Sequence, residues 1–222
     1  MSNIESGLGM LKHIYNETMR GLPDSLLIGS TVFAFLTQNF PVSILVLAML
    51  EFSIISWLLF KFVGTLMTNT EAFTSDVCIP GIPSPYLISA LGYISPKASF
   101  PSIPIFFISS TMFYIVFSVL NFREELKELG HKTPEWKVRI PLSILFTVIL
   151  LLCFIFWRVL NTCDTLWVSL CSLLFGLLTG GGIQILHTYL FGRDSINFLG
   201  IPLLADRSAT GGKQYICAKT KQ

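Results

Sequence analysis

The sequence predicts an all-α membrane protein: a polytopic bundle of about five transmembrane helices, with an N-terminal amphipathic helix and a short C-terminal tail outside the membrane. Two observations predict this class. Of the 222 residues, 52% are hydrophobic and 13% are charged, and this charged share is about half that of an ordinary soluble domain. The apolar residues also form long continuous runs, whereas the strands of an outer-membrane barrel alternate apolar and polar side chains.

Five segments are candidates for membrane spans, because a helix needs about 20 apolar residues to cross a hydrocarbon core about 30 Å thick. Four of them are long: 41–66, 104–121, 140–160 and 165–191. The fifth, 22–38, is shorter. Together the five segments define a predicted transmembrane bundle over residues 22–191.

Residues 1–21, before the first candidate span, show helical periodicity. Leu8, Leu11, Tyr15 and Met19 recur every three or four residues and therefore share one helical face. We expect an amphipathic helix on the membrane surface, and the alternative is a helix packed on a partner protein or on the bundle. A secretory signal is not predicted, because no apolar core follows a basic start.

The distribution of basic residues predicts the orientation in the membrane. Of the 15 Lys and Arg residues, five lie in the loop 122–139 and five in the tail 192–222. Basic residues concentrate on the cytoplasmic side, so both segments are predicted to face the cytoplasm or an equivalent compartment. If residues 22–38 do not cross, only the predicted side of the N-terminus changes.

The loop between the second and third predicted spans, residues 67–103, is rich in proline. Six of the 11 prolines fall within residues 80–104, a density that a regular helix does not tolerate. Its Tyr86 and Tyr93 suit the headgroup level of the membrane or a surface that docks on a partner protein. The alternative is a loop that only covers the bundle.

The tail is too polar to cross the membrane.

Two cysteines, Cys78 and Cys163, fall on the exoplasmic side of this topology. A disulfide between them would persist if that compartment is oxidising. The alternative is two unrelated thiols.

Glu51 lies near the middle of the second predicted span, where an ionised carboxylate is strongly disfavoured. We therefore expect it to be neutral or paired. The functional hypothesis is a proton or cation relay. The alternative is a protonated carboxyl group that is hydrogen-bonded to Ser109, Ser110 or Thr111 and serves helix packing.

The last predicted span carries a stripe of small residues, Ser169, Ser172, Gly176 and Gly180, at spacings of three and four. Such a stripe allows another helix to approach closely in lipid. The alternative is that the glycines at 180–182 interrupt the helix beside Gln184 and His187, as in transporters with broken helices.

No motif indicates an enzyme. The chain has no phosphate-binding glycine motif, Gly-x-Ser-x-Gly elbow, Cys-x-x-Cys pair or His-Glu-x-x-His sequence. Its histidines, His13, His131 and His187, lie in different segments without the spacing of metal ligands. We predict no catalytic residues, no cofactor, no metal and no specific nucleic acid.

The tail carries a resemblance to a known family. Residues 197–204, followed by Arg207, Gly211 and residues 215–217, resemble a segment in small multi-pass membrane proteins of large icosahedral DNA viruses. The resemblance implies a component of a virion internal membrane, or of a membrane derived from the host endoplasmic reticulum. It also implies contacts of the loops or tail with minor capsid proteins, and Arg207 and Tyr215 are candidate docking residues.

The predicted function is therefore structural. The bundle would lie in the lipid bilayer and present its proline-rich loop and basic tail to other membrane or capsid proteins, with further copies of the chain as another candidate partner. The alternative function is a small ion or proton channel or transporter that uses Glu51.

Overall fold

The computed structural model describes residues 2–64, 78, 100–132 and 135–198, and these residues are helical apart from short connections. The elements in chain order are α1 (Ser2–Thr37), α2 (Phe40–Gly64), α3 (Ile103–Asn121), α4 (Arg123–Lys132), α5 (Glu135–Leu160), α6 (Leu166–Phe191) and a 3-10 turn (Arg193–Ile196). The predictions for Tyr86, Tyr93, Arg207 and Tyr215, and for most of the loop 67–103 and the tail, lie outside the described residues.

Four described helices are long and apolar enough to cross a membrane, which confirms the all-α polytopic class. Their spans are Phe40–Leu59, Ile103–Asn121, Pro141–Leu160 and Leu166–Phe191. They correspond to the four long predicted spans, because a continuous apolar run of this length has few alternatives to a membrane helix. The predicted loop 122–139 is largely helical, since α4 occupies its first half and α5 begins at Glu135.

α1 differs from the two predicted segments 1–21 and 22–38, because it is one continuous helix through Pro23. It is not among the four helices that are apolar enough to span. Its side chains nevertheless contact the bundle. Asn16 Oδ1 accepts a hydrogen bond from Trp157 Nε1 of α5 at 3.0 Å, and Ser30 Oγ donates to Met49 Sδ of α2 at 3.2 Å. α1 therefore contacts α5 and α2 from residue 16 onward.

α3 is the central helix of the bundle, and α6 packs on it most closely. A Cβ atom at Gly176 would overlap Ser109 Oγ, and one at Gly180 would overlap the carbonyl oxygen of Ser110. Side chains larger than hydrogen at these two positions would force the helices apart, so the predicted small-residue stripe of α6 forms the α3 contact. The remaining buried core is apolar and aromatic, with Phe52, Phe106 and Trp157 among its largest side chains.

The bundle has two ends that are used as reference points below. At the first, which we call the disulfide end, α3 begins, α5 ends and α6 begins, and Cys78 and Cys163 lie there. At the second, which we call the α4 end, α3 and α6 end and α4 begins. The positive-inside prediction assigns the α4 end to the cytoplasmic side.

Candidate functional site

Three side chains that can exchange protons meet inside the bundle, one from each of three helices. Glu51 of α2 lies with its Oε2 atom 3.1 Å from Nε2 of His187 on α6. On the other side of the imidazole, Nδ1 is 2.8 Å from the hydroxyl oxygen of Tyr114 on α3. We call these three residues the intramembrane site. His187 and Tyr114 are fully buried, whereas 31% of the Glu51 side chain is exposed.

The two contacts of His187 differ in geometry. Its Nδ1 atom shares a hydrogen bond with Tyr114, in which the donor depends on the tautomer of the imidazole. Its Nε2 atom and Glu51 Oε2 are within ion-pair distance, although neither atom makes a hydrogen bond of good geometry. The Glu51 contact is therefore mainly electrostatic in this arrangement, and a small rotation of either side chain would complete a hydrogen bond.

The spacing of residues on α6 explains why His187 reaches this position. The buried residues of α6 are Ser169, Ser172, Gly176, Gly180, Gln184 and His187, which follow one another at spacings of three and four. The small members bring α3 close, and a Cβ atom at Gly180 would lie 3.1 Å from the backbone nitrogen of Tyr114. His187 lies two turns further along the same face, where it meets the Tyr114 hydroxyl.

Aromatic rings surround the polar atoms of the intramembrane site. The Tyr114 ring lies 6.1 Å from the Phe52 ring and 5.9 Å from the Phe198 ring, measured between centroids. The His187 ring lies 5.6 Å from the Tyr114 ring and 5.5 Å from the Phe191 ring. These rings cover Tyr114 and His187, so the polar atoms of these two residues depend on one another and on Glu51 for electrostatic compensation.

The structure gives Glu51 a different neighbour from the hydroxyl groups that the sequence offered. Ser109 Oγ donates to the carbonyl oxygen of Phe106 at 3.0 Å, and the hydroxyl oxygens of Ser110 and Thr111 are buried without a hydrogen bond to the described residues. His187 was overlooked as a partner because it looked isolated in the sequence. The available signal was its position on the same helical face as Gly176 and Gly180.

The glycines at 180–182 do not interrupt α6. The helix is continuous from Leu166 to Phe191 and passes through all three positions. The alternative of a broken helix with exposed carbonyl groups beside Gln184 and His187 is therefore wrong. Gly176 and Gly180 serve close packing, whereas a Cβ atom at Gly182 would meet nothing within 4 Å.

At the disulfide end, the chain just before α3 is tied to the turn between α5 and α6. Cys78 and Cys163 form a disulfide bond. Arg158 and Asp164 form a buried ion pair, and Ser102 Oγ donates to Asp164 Oδ2 at 2.9 Å. The Ser102 backbone N–H also donates to the hydroxyl group of Ser172 on α6 at 2.7 Å. Removing either Arg158 or Asp164 would leave the other buried charge without its partner, which is strongly destabilising.

At the α4 end, the chain that follows α6 is tied to α4. Arg193 binds Glu125 in a bidentate arrangement, with Nη1 to Oε1 at 2.6 Å and Nη2 to Oε2 at 3.0 Å. It also donates to the carbonyl oxygen of Asn121, and its guanidinium group lies 4.9 Å from the centre of the Phe122 ring. Two parallel hydrogen bonds give this pair a defined geometry that a single contact would not.

Among the described residues, no three His, Cys, Asp or Glu side chains lie close enough together to hold a metal ion. Comparisons of the chain with protein-family models, with curated proteins and with solved structures find no match. The geometry of the intramembrane site and of the two ends is therefore the basis for the functional assignment.

Proposed function

We propose that this chain is a structural multi-pass membrane protein that anchors other proteins to the bilayer through its loop 67–103 and its tail 192–222. The observation that carries the proposal is that both segments are attached to the bundle at defined points. Four helices long and apolar enough to span provide the membrane-embedded part. An anchor needs such attachments, because a load applied to a loosely held segment would not reach the bundle.

The loop is held at two positions. Cys78 is bonded to Cys163, and Phe100 and Ser102 are buried where the loop joins α3. The stretch 79–99 therefore lies between two points that are fixed to the bundle. Restricting a binding segment before it meets its partner reduces the entropy lost on association, which strengthens binding without any new contact.

The tail is held where it leaves α6. Arg193 is bound to Glu125, Ile196 is buried, and the Phe198 ring packs on Tyr114. The residues that follow include Arg207, Lys213, Lys219 and Lys221. This basic segment favours a partner with an acidic surface, since opposite charges speed association and select the partner.

We assign the partner to the minor proteins of a viral capsid, and the membrane to a virion internal membrane or a host membrane derived from the endoplasmic reticulum. The support for this assignment is the resemblance of residues 197–204, Arg207 and residues 215–217 to a segment of viral multi-pass proteins. The attachment of Arg193 to Glu125 agrees with such a role, because it fixes the point at which the tail leaves the bundle.

A channel or transporter is the alternative function, and the contact between Glu51 and His187 favours it. The close approach of α3 and α6 at Gly176 and Gly180 argues against a pathway along that interface. Anchoring is therefore the better-supported function of the chain.

The experiment that tests anchoring replaces residues 199–222 with a Gly-Ser segment of equal length in the full chain, within its native membrane. We expect normal insertion and loss of the proteins that co-purify with the unmodified chain. The matched control replaces Lys12 with Ser, which removes a basic residue from α1 and leaves the tail unchanged. An unchanged set of co-purifying proteins after tail replacement would contradict the proposal.

A further inference from the structure

The intramembrane site is not explained by an anchoring role. Glu51, His187 and Tyr114 place polar atoms within the bundle, where burial is expensive unless the groups compensate one another. Anchoring would be served equally well by apolar side chains of similar size, which often stabilise a protein as well as a buried polar pair does. Ionisable residues inside membrane spans commonly mark proton or ion chemistry.

The site can bind one proton beyond the arrangement in which Glu51 is ionised, His187 is neutral and Tyr114 carries its hydroxyl proton. With a neutral imidazole, the Tyr114 hydroxyl donates to Nδ1, and the Nε2–H group faces the Glu51 carboxylate. The site then carries one negative charge. A proton added to Glu51 or to His187 makes the site neutral, and a neutral site costs less in a low-dielectric environment.

Few other charged groups face the site from the elements around it. On the chain that follows α6, Arg193 is bound to Glu125, and Asp194 is exposed. α1 presents Ser30 to α2 at Met49, and the buried Asp24 lies about 9 Å further along α1 toward the disulfide end. Proton occupancy is therefore controlled mainly by the three groups themselves.

His187 is the residue of the site that lies nearest the α4 end. His187 is four residues from the end of α6 at Phe191, which corresponds to about 6 Å along the helix axis. On that side, the described cover consists of the Phe191 and Phe198 rings and the buried Ile196. A rotation of these rings would open the route by which water reaches His187 from the α4 end.

The opposite direction is closed along the α3–α6 interface. Gly176 and Gly180 bring α6 into contact with Ser109 and with the backbone of Ser110, with no space for even a methyl group. A continuous file of water needs more room than this interface leaves. A proton that reaches His187 from the α4 end therefore finds no described path along α3 and α6 to the disulfide end.

We propose that Glu51, His187 and Tyr114 form a site that binds and releases one proton from the side of the membrane on which α6 ends, without conducting it across. The ligand is the proton itself, carried to the site by water. This inference does not depend on the anchoring function, since a protein that fails to bind capsid proteins can still bind a proton at this position.

Infrared difference spectroscopy of the full-length protein in lipid nanodiscs tests proton binding. We expect the carbonyl stretch of a protonated carboxyl group to appear as the pH is lowered, and to be absent from Glu51→Gln. The matched control is Glu124→Gln, which alters an exposed acid of α4 and should keep the Glu51 band. If the bands of the unmodified protein and of Glu51→Gln are identical at every pH, the proposal is overturned.

The role of His187 is tested with His187→Leu, which removes the imidazole N–H group that faces the carboxylate. We expect the pH range in which the Glu51 band appears to change, because the imidazole that lies 3.1 Å from the carboxylate is lost. If His187→Leu folds poorly, His187→Gln provides a weaker donor of similar polarity, and its titration should lie between the other two. A titration of Glu51 that is the same in all three proteins would contradict the site as proposed.

Proton flux distinguishes one-sided binding from transport. In vesicles with a pH gradient, we expect the unmodified protein to dissipate the gradient no faster than lipid alone, while a protonophore collapses it at once. Flux that exceeds the lipid background and disappears in Glu51→Gln would show conduction and would overturn the one-sided site. Neither flux result changes which proteins co-purify with the chain, so the anchoring proposal and the proton-binding proposal can fail independently.

Discussion

The imidazole of His187 on α6 lies 3.1 Å from the carboxylate of Glu51 on α2, and its other nitrogen lies 2.8 Å from the Tyr114 hydroxyl on α3. One histidine therefore connects three helices within the bundle. The contact holds the three helices together, and it is also the site at which we propose that a proton binds.

Truncation of His187 should destabilise the bundle. We expect His187→Ala to lower the free energy of unfolding by about 2–4 kcal/mol, because it leaves a cavity and deprives the buried Tyr114 hydroxyl of its partner. The measurement is reversible unfolding in mixed detergent micelles. Tyr189→Ala is the control, since Tyr189 is 86% exposed on the same helix and should change stability little. Equal losses for the two variants would contradict the buried role of His187.

Substitution of Gly180 should disturb the contact between α3 and α6. We expect Gly180→Ala to cost about 1–3 kcal/mol, because the new methyl group overlaps the carbonyl oxygen of Ser110 and the helices must separate. Gly182→Ala is the matched control two residues away, where a Cβ atom meets nothing within 4 Å. The same unfolding measurement applies, and a Gly180→Ala protein as stable as Gly182→Ala would show that the helices are not in close contact.

Loss of the disulfide should release the loop 67–103. In Cys78→Ser, we expect faster cleavage within residues 79–99 by an added protease and a stability loss of about 2–4 kcal/mol, because the denatured chain is no longer restricted. Limited proteolysis followed by mass spectrometry provides the measurement. Cys153→Ser is the control, since Cys153 is a free cysteine of α5. Identical cleavage rates in the two variants would count against the attachment of the loop through Cys78.

Arg193 and Glu125 should be coupled at the α4 end. A double-mutant cycle with Arg193→Ala and Glu125→Gln should give a coupling energy of about 1 kcal/mol, because Arg193 is partly exposed and water screens the pair. Glu124→Gln in place of Glu125→Gln provides the control, with no coupling expected. The same Arg193→Ala variant should expose the start of the tail to protease. A coupling energy of zero for both pairs would remove this attachment point.

The four long spans could be predicted from the sequence because each is a continuous apolar run that only a membrane helix accommodates. The continuity of α1 could not, since Pro23 and Asp24 suggest a boundary where the helix continues. The stripe of Gly176 and Gly180 predicts a close contact but does not identify α3 as the neighbour.

The sequence predicts one residue of the intramembrane site, Glu51, but not its neighbours His187 and Tyr114. Glu51 stood out because an acid among apolar neighbours is unusual in a span. Its partner did not, because His187 lies on a helix far away in the chain, and a single sequence carries no information on which helices touch. The pairing of Arg193 with Glu125 was hidden for the same reason, since charged residues near helix ends are common and rarely paired in a defined geometry.

The most direct test of the anchoring proposal is photo-crosslinking from the tail in the native membrane. A photoreactive amino acid in place of Arg207 should give a reproducible adduct with one or a few proteins. The same group in place of Leu186, an exposed residue of α6, should give mainly lipid adducts. Capsid proteins in the adducts from position 207 are the result that we predict. The absence of any protein adduct from position 207, or the same adducts from both positions, would contradict the proposal that the tail anchors other proteins to the membrane.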